Sequence, residues 1–366
     1  MKTNLFLIAA VLMLHESIAQ SWVQKANVPP MQRHYAFGAF CYGKAYIGTG
    51  VTSGLASDFW EYDPIADTWT QRASLSSPTC ETASFTVDNK VYVSGGMGQT
   101  VALREYDPLT NLWTPKANSP MTSFWGAGFA IGNKGYVYGG GTNGFSEYDP
   151  LTDSWALRAP FPVAVSYALS FSIGNKGYVG KSGAGGFYEY DPAIDVWTMK
   201  QALPGSGGSA NGFAINGKGY AIVHSSPVLY QYDPLADSWT QVTVNFPAPT
   251  GRSHGVGFAS ADKGYFGTGI SYQDFWEFTP EVTTSVNSPD ASQADIKFYC
   301  DGQMLSVISD LKTLKLSLYS VGGKKIMEVN DWMLPNHSVS IKALSSGIYF
   351  CRVVGDAVNK TFKFIK

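Results

Sequence analysis

The residues of this chain with the most conspicuous capacity for chemistry are paired carboxylates. Residues 147 to 155 read EYDPLTDSW, which sets Asp149 and Asp153 four apart, and variants recur at Asp63/Asp67, Asp107/Asn111, Asp191/Asp195 and Asp233/Asp237. Such pairs could bracket a calcium ion or share acid–base work. Five copies argue against this, because a catalytic pair is needed once and a turn is needed in every repeat. The first Asp can cap a turn through its side chain, Pro presets φ at the next position, and the second Asp or Asn suits the loop exit. Tyr and Trp then fill apolar space between neighbouring units. The box reads as structural, and the site must be sought elsewhere.

The period of the box defines the elements. Its closing tryptophans are Trp69, Trp113, Trp155, Trp197 and Trp239, and a turn lysine followed two residues later by tyrosine occurs six times upstream, at Lys44, Lys90, Lys134, Lys176, Lys218 and Lys263. In the third period, Ala127–Ile131, Tyr136–Tyr138, Phe145–Tyr148 and Trp155–Arg158 read as strands punctuated by Gly-Asn-Lys, a glycine run and Asp-Pro. A four-stranded meander of this length is a propeller blade, and 39 Gly with 52 aromatic residues fit an all-β chain.

These units resemble the kelch repeat family: a glycine doublet, clearest at Gly95-Gly96 and Gly139-Gly140, then a tyrosine and a tryptophan. The resemblance implies a six-bladed β-propeller over residues 20–280. The chain ends fit together. Trp22 opens a strand matching the one at Trp69 with nothing before it, and Asp274-Phe275-Trp276 matches Asp58-Phe59-Trp60 with no closing tryptophan after it. The N-terminal strand is therefore expected to complete the last blade, leaving no open sheet edge.

Met1–Ala19 has a lysine, a short apolar run and a small-residue end, the pattern of a secretory signal peptide; no transmembrane segment is expected after its cleavage. Residues 281–295 read as a linker, and residues 296–366 as a small β-sandwich with strands at Met304–Ile308, Leu314–Tyr319, Val339–Ile341, Ile348–Val353 and Thr361–Ile365. This tail resembles the type A C-terminal sorting domain of type IX secretion cargo, through Leu318–Ile326, Leu344–Phe350 and the terminal Lys-Phe-Ile-Lys; Tyr299-Cys300-Asp301-Gly302 stands where the family has Tyr-Pro-Asn-Pro. The resemblance implies export by the type IX machinery to the medium or the outer surface, where the tail is cut off or exchanged for an anchor. Cys300 and Cys351 lie within it and form the candidate disulfide, with connectivity left open by the sequence.

A net charge of −2 provides no basic field for nucleic acid. No zinc spacing, P-loop, GxSxG or HExxH is present, and no cofactor is implied. Counting back nine residues from each turn lysine yields Tyr35, Glu81, Trp125, Tyr167, Ser209 and His254; counting back ten yields His34, Cys80, Phe124, Ser166, Gly208 and Ser253. In a kelch-like ring these positions share one mouth of the central channel, with Arg33 and Arg252 one or two positions upstream. Units three and four are expected to supply an aromatic arc of Phe124, Trp125 and Tyr167, and units six, one and two a polar one of Arg252, His254, Arg33, His34 and Glu81. Stacking faces beside polar groups suit a sugar ring or a peptide turn, so the leading expectation is a glycan- or protein-binding module. The alternative resembles the six-bladed kelch sialic acid mutarotase (N-acetylneuraminate epimerase), with Glu81 moving protons and Arg33 or Arg252 holding a carboxylate. A purely structural envelope protein is a third reading. His34, His224 and His254 share no fixed spacing, and no metal site is assigned.

Overall fold

A computed structural model describes residues 20–205, 210–223, 228–244, 246–247 and 252–281, and segments of the tail between 296 and 365. Met1–Ala19 and residues 282–295, read above as leader and linker, lie outside the described residues.

Six four-stranded antiparallel sheets follow one another. Blade three is typical, with Ala127–Ile131, Lys134–Tyr138, Phe145–Asp149 and Ser154–Leu157 paired in chain order. The innermost strands alternate buried and half-buried residues, and the half-buried position six before each turn lysine is small: Gly38, Ser84, Gly128, Ser170, Gly212 and Gly257. A Cβ on Gly128 would stand 2.5 Å from the Ser84 carbonyl oxygen. Crowding of neighbouring strands around the axis therefore dictates side-chain size, and the space left is a channel of about 350 Å³.

Blade six closes as the chain ends imply. Ser21–Lys25 pairs with Phe275–Thr279, Trp22 opposite Phe278, and completes the sheet holding Val256–Ala259 and Gly264–Gly267. Trp22 packs on Phe246 and Phe278 at 4.9 and 5.0 Å between ring centroids.

The acidic box ties blades together. Asp149 Oδ1 accepts from the Leu151 amide as a turn cap. Asp153 does more than suit a loop exit: its Oδ1 accepts from the Tyr148 hydroxyl at 2.6 Å and from the Ala117 amide of the preceding blade at 2.9 Å. Trp155 Nε1 donates to the carbonyl of that same Ala117 at 2.8 Å. One residue of each preceding blade is thus gripped at both backbone groups. The grip repeats at Ala26, Ala73, Ala159 and Gln201. In blade two the acceptor is the uncharged Asn111, so the clasp needs an oxygen and not a charge.

The tail is a separate compact unit within Thr284–Lys366. It contains a three-stranded sheet (Ile296–Cys300, Met304–Ser309, Asn336–Ser340) and a four-stranded sheet ordered Lys325–Trp332, Leu314–Ser320, Ile348–Gly355, Val358–Ile365. Lys325–Trp332 had no clear strand signature, its alternation being broken by Asn330-Asp331. Of the two cysteines of the candidate disulfide, Cys351 is a free, buried thiol opposite Leu318, and Cys300 lies on a strand of the other sheet.

Candidate ligand-binding mouth

Among the described residues, five innermost strands are entered through a residue in the left-handed region. Tyr35 (φ 57°), Glu81 (61°), Trp125 (57°), Tyr167 (60°) and His254 (56°) are all non-glycine residues there, a conformation that is sparsely populated and gathers at functional sites. They are the positions nine before the turn lysine; Ser209 and His224 lie outside the described residues. Backbone hydrogen bonds link the strained residues from blade to blade. The Tyr35 amide donates to the His254 carbonyl (3.0 Å), Glu81 to Tyr35 (3.0 Å), and Tyr167 to Trp125 (3.1 Å). The glycine doublets make room for this belt, since a Cβ on Gly140 would fall 1.9 Å from the Trp125 carbonyl oxygen.

The five side chains converge. Tyr35 lies 4.1 Å from His254 and 5.9 Å from Tyr167, and Tyr167 lies 4.9 Å from His254 and 5.5 Å from Trp125, between ring centroids. They border a chamber of about 110 Å³ at the end of the channel. Glu81 is the acid of this enclosure. Its Oε1 accepts from the Tyr167 hydroxyl at 3.2 Å, and the Trp125 indole stands close enough to the carboxylate to favour its charged form. Burial pushes the Glu81 carboxyl above its ordinary pKa, against the opposing pull of Trp125 and Tyr167. Burial also raises the Tyr167 hydroxyl and lowers His254, favouring their neutral forms.

Phe124 stacks on Trp125 at 4.5 Å and His34 sits 5.0 Å from Tyr35, both outside the chamber lining. Arg33 and Arg252 are not part of the mouth. Arg33 is fully buried, donating to both carboxylate oxygens of Asp58 (2.8 and 2.5 Å) and to the Thr49 carbonyl. Arg252 binds Asp274 at 2.6 Å and the Thr268 carbonyl. Each guanidinium holds its own blade's loop after the glycine-type turn, so neither is available to a ligand carboxylate. Asn211 is a lining residue that sequence reasoning passed over. Its signal is a polar residue in a column otherwise occupied by Phe37, Ala83, Ala127, Leu169 and Val256.

Residues 289–366 match the family of secretion system C-terminal sorting domains. A 92-residue stretch is 38% identical to the kelch repeat and BTB domain-containing protein 1 of camelpox virus (strain CMS), covering 24% of this chain and 16% of that protein. A solved structure titled "Structure of YjhT" matches with a TM-score of 0.55 and 18% identity over 70% of this chain and 96% of its own, a likeness of fold. This is a six-bladed kelch-type propeller bearing a type IX secretion sorting domain. The sorting domain marks the kelch propeller for export to the cell surface or the medium. Among the described residues no helix is long and apolar enough to cross a membrane, and no group of three or more His, Cys, Asp or Glu could hold a metal ion.

Proposed function

We propose that the exported propeller is a binding module whose ligand, a glycan or a segment of another protein, seats at the mouth around Glu81. The observation that carries this reading is the convergence of five left-handed residues from five blades on one chamber. Glycine and asparagine are the residues that enter this conformation most readily. Large aromatic and acidic side chains in that conformation are held at a cost in strain, which fits selection for what they present. Aromatic faces with a few convergent polar groups are the usual make-up of small-ligand sites. A glycan and peptide array probed with the full chain, then with Trp125→Ala, tests it: binding lost with Trp125 supports the mouth, and binding that survives places the ligand elsewhere.

The raised pKa of Glu81 beside the Tyr167 hydroxyl supports a second reading, acid–base transfer of the proton between a sugar's anomeric hydroxyl and its ring oxygen as the ring opens and closes. This reading stands on Glu81 alone, since both arginines are committed to Asp58 and Asp274. Sugar anomer equilibration by the full chain that disappears in Glu81→Gln would establish it; equilibration no faster than in buffer rejects it.

A further inference from the structure

We infer that the mouth receives a cation, specifically a primary or methylated alkylammonium group held between aromatic faces and the Glu81 carboxylate. The inference rests on reading the mouth as a binding site and names the chemistry of its ligand.

The charge pattern carries it. Each of the five glutamates on the third strands has a lysine or arginine partner: Glu61 with Arg72, Glu105 with Lys90, Glu147 with Lys134, Glu189 with Lys200 and Glu277 with Lys25. Glu81 has none among the described residues, although it is half-buried, and the Tyr167 hydroxyl and Trp125 indole beside it are uncharged. Arg33 and Arg252, which lie one or two positions upstream of the mouth residues of their blades, are neutralised by Asp58 and Asp274. The chamber lining therefore carries one formal charge, negative, inside a wall of Tyr35, Trp125, Tyr167 and His254. A carboxylate without a counter-ion and several π-faces are both complementary to the same ligand feature, a cation within about 6 Å of ring centroids. A volume of about 110 Å³ suits a head group, with the rest of the ligand lying outside.

Protonation gives the inference a signature. The groups facing or adjoining Glu81 are the Tyr167 hydroxyl, the Trp125 indole, the Cys80 thiol and, across the mouth, Tyr35 and His254. The thiol is pushed up to about 11 and the tyrosine hydroxyl higher still, so neither titrates below neutrality. Acid would neutralise Glu81 and charge His254, and both changes oppose a cation. Affinity should therefore fall as pH drops through the raised pKa of Glu81.

The test is calorimetric titration of the full chain with tetramethylammonium chloride, a trimethyl-lysine peptide and a neutral monosaccharide, using sodium chloride as the salt control. The expected result is binding of an ammonium probe and none of the sugar, weakened by acid. Glu81→Gln should lose about tenfold or more in affinity without any fall in melting temperature, and Trp125→Phe should bind better than Trp125→Ala. The free-ion and peptide arms tell a small amine from a lysine side chain as the source. Sugar binding lost in Trp125→Ala, with no ammonium binding, overturns the cation while leaving the mouth a binding site. No probe or array ligand sensitive to Trp125 overturns both.

Discussion

The hydroxyl of Tyr167 donates to Oε1 of Glu81 across 3.2 Å, joining residues 86 apart in the chain and two blades apart in the ring. Both stand at left-handed strand entries, Glu81 at φ 61° and Tyr167 at φ 60°. The same turn recurs without glycine in five blades, so the mouth is a product of the repeat, while its chemistry comes from the residue that each blade places there.

Glu81 should weaken the fold that holds it. Its carboxyl is raised above the unfolded value, so the folded state favours the proton; the associated stability is present at acid pH and is lost as pH rises through the folded pKa. Glu81→Gln should therefore raise the melting temperature at neutral pH, with the gain shrinking toward pH 4. Paired thermal scans at the two pH values check this.

The ring is closed by a strand that arrives first in the chain. Trp22→Ala removes the contacts with Phe246 and Phe278 and should cost about 2–3 kcal/mol. Deleting residues 20–28 should cost more, because it leaves the edge of Phe275–Thr279 unpaired. Denaturant unfolding measures both; an unchanged midpoint for the deletion would reject closure by this strand.

The clasp between blades should tolerate loss of charge but not of the acceptor. Asp153→Asn should be close to neutral because Asn111 performs the same task in blade two. Asp153→Ala removes two hydrogen bonds and should cost about 1–2 kcal/mol, read from the shift in denaturation midpoint.

Arg33 should matter to stability and not to binding. Arg33→Ala leaves Asp58 without its partner and should cost about 3–5 kcal/mol, while ligand affinity measured below the melting point is retained. Burial acts to raise the Asp58 carboxyl, but Arg33 outweighs it and holds it below the usual range. The corresponding stability is present above the ordinary aspartate pKa and lost as pH falls through the folded one. Arg33→Ala should flatten that acid limb, which stability measured between pH 2 and 5 would show.

Blade count, strand order and ring closure were legible because each is written several times: the turn lysine six times, the box five, and the split blade once at each end. The mouth positions were legible by alignment on the lysine, but their left-handed backbone was not, since Tyr, Trp and Glu have no preference for it. Arg33 and Arg252 were misassigned although the corrective signal was present. Blades one and six alone carry both an arginine eleven residues before the turn lysine and an aspartate before the third strand, Asp58 or Asp274. The matching positions in blades two to four are Thr79 with Ala102, Ser123 with Gly144, and Val165 with Gly186. Reading the two columns together pairs each arginine with its own blade. The free thiol of Cys351 was beyond sequence reasoning, because pairing depends on which sheet each strand joins.

The central claim is that the function of this propeller resides at the mouth around Glu81 and Trp125. Its most direct test is equilibrium binding of the full chain to a glycan and peptide array, repeated with Trp125→Ala and Glu81→Gln after folding of each is verified by thermal scan. The account predicts at least one ligand whose binding both substitutions abolish; ligands bound equally well by all three chains would contradict it.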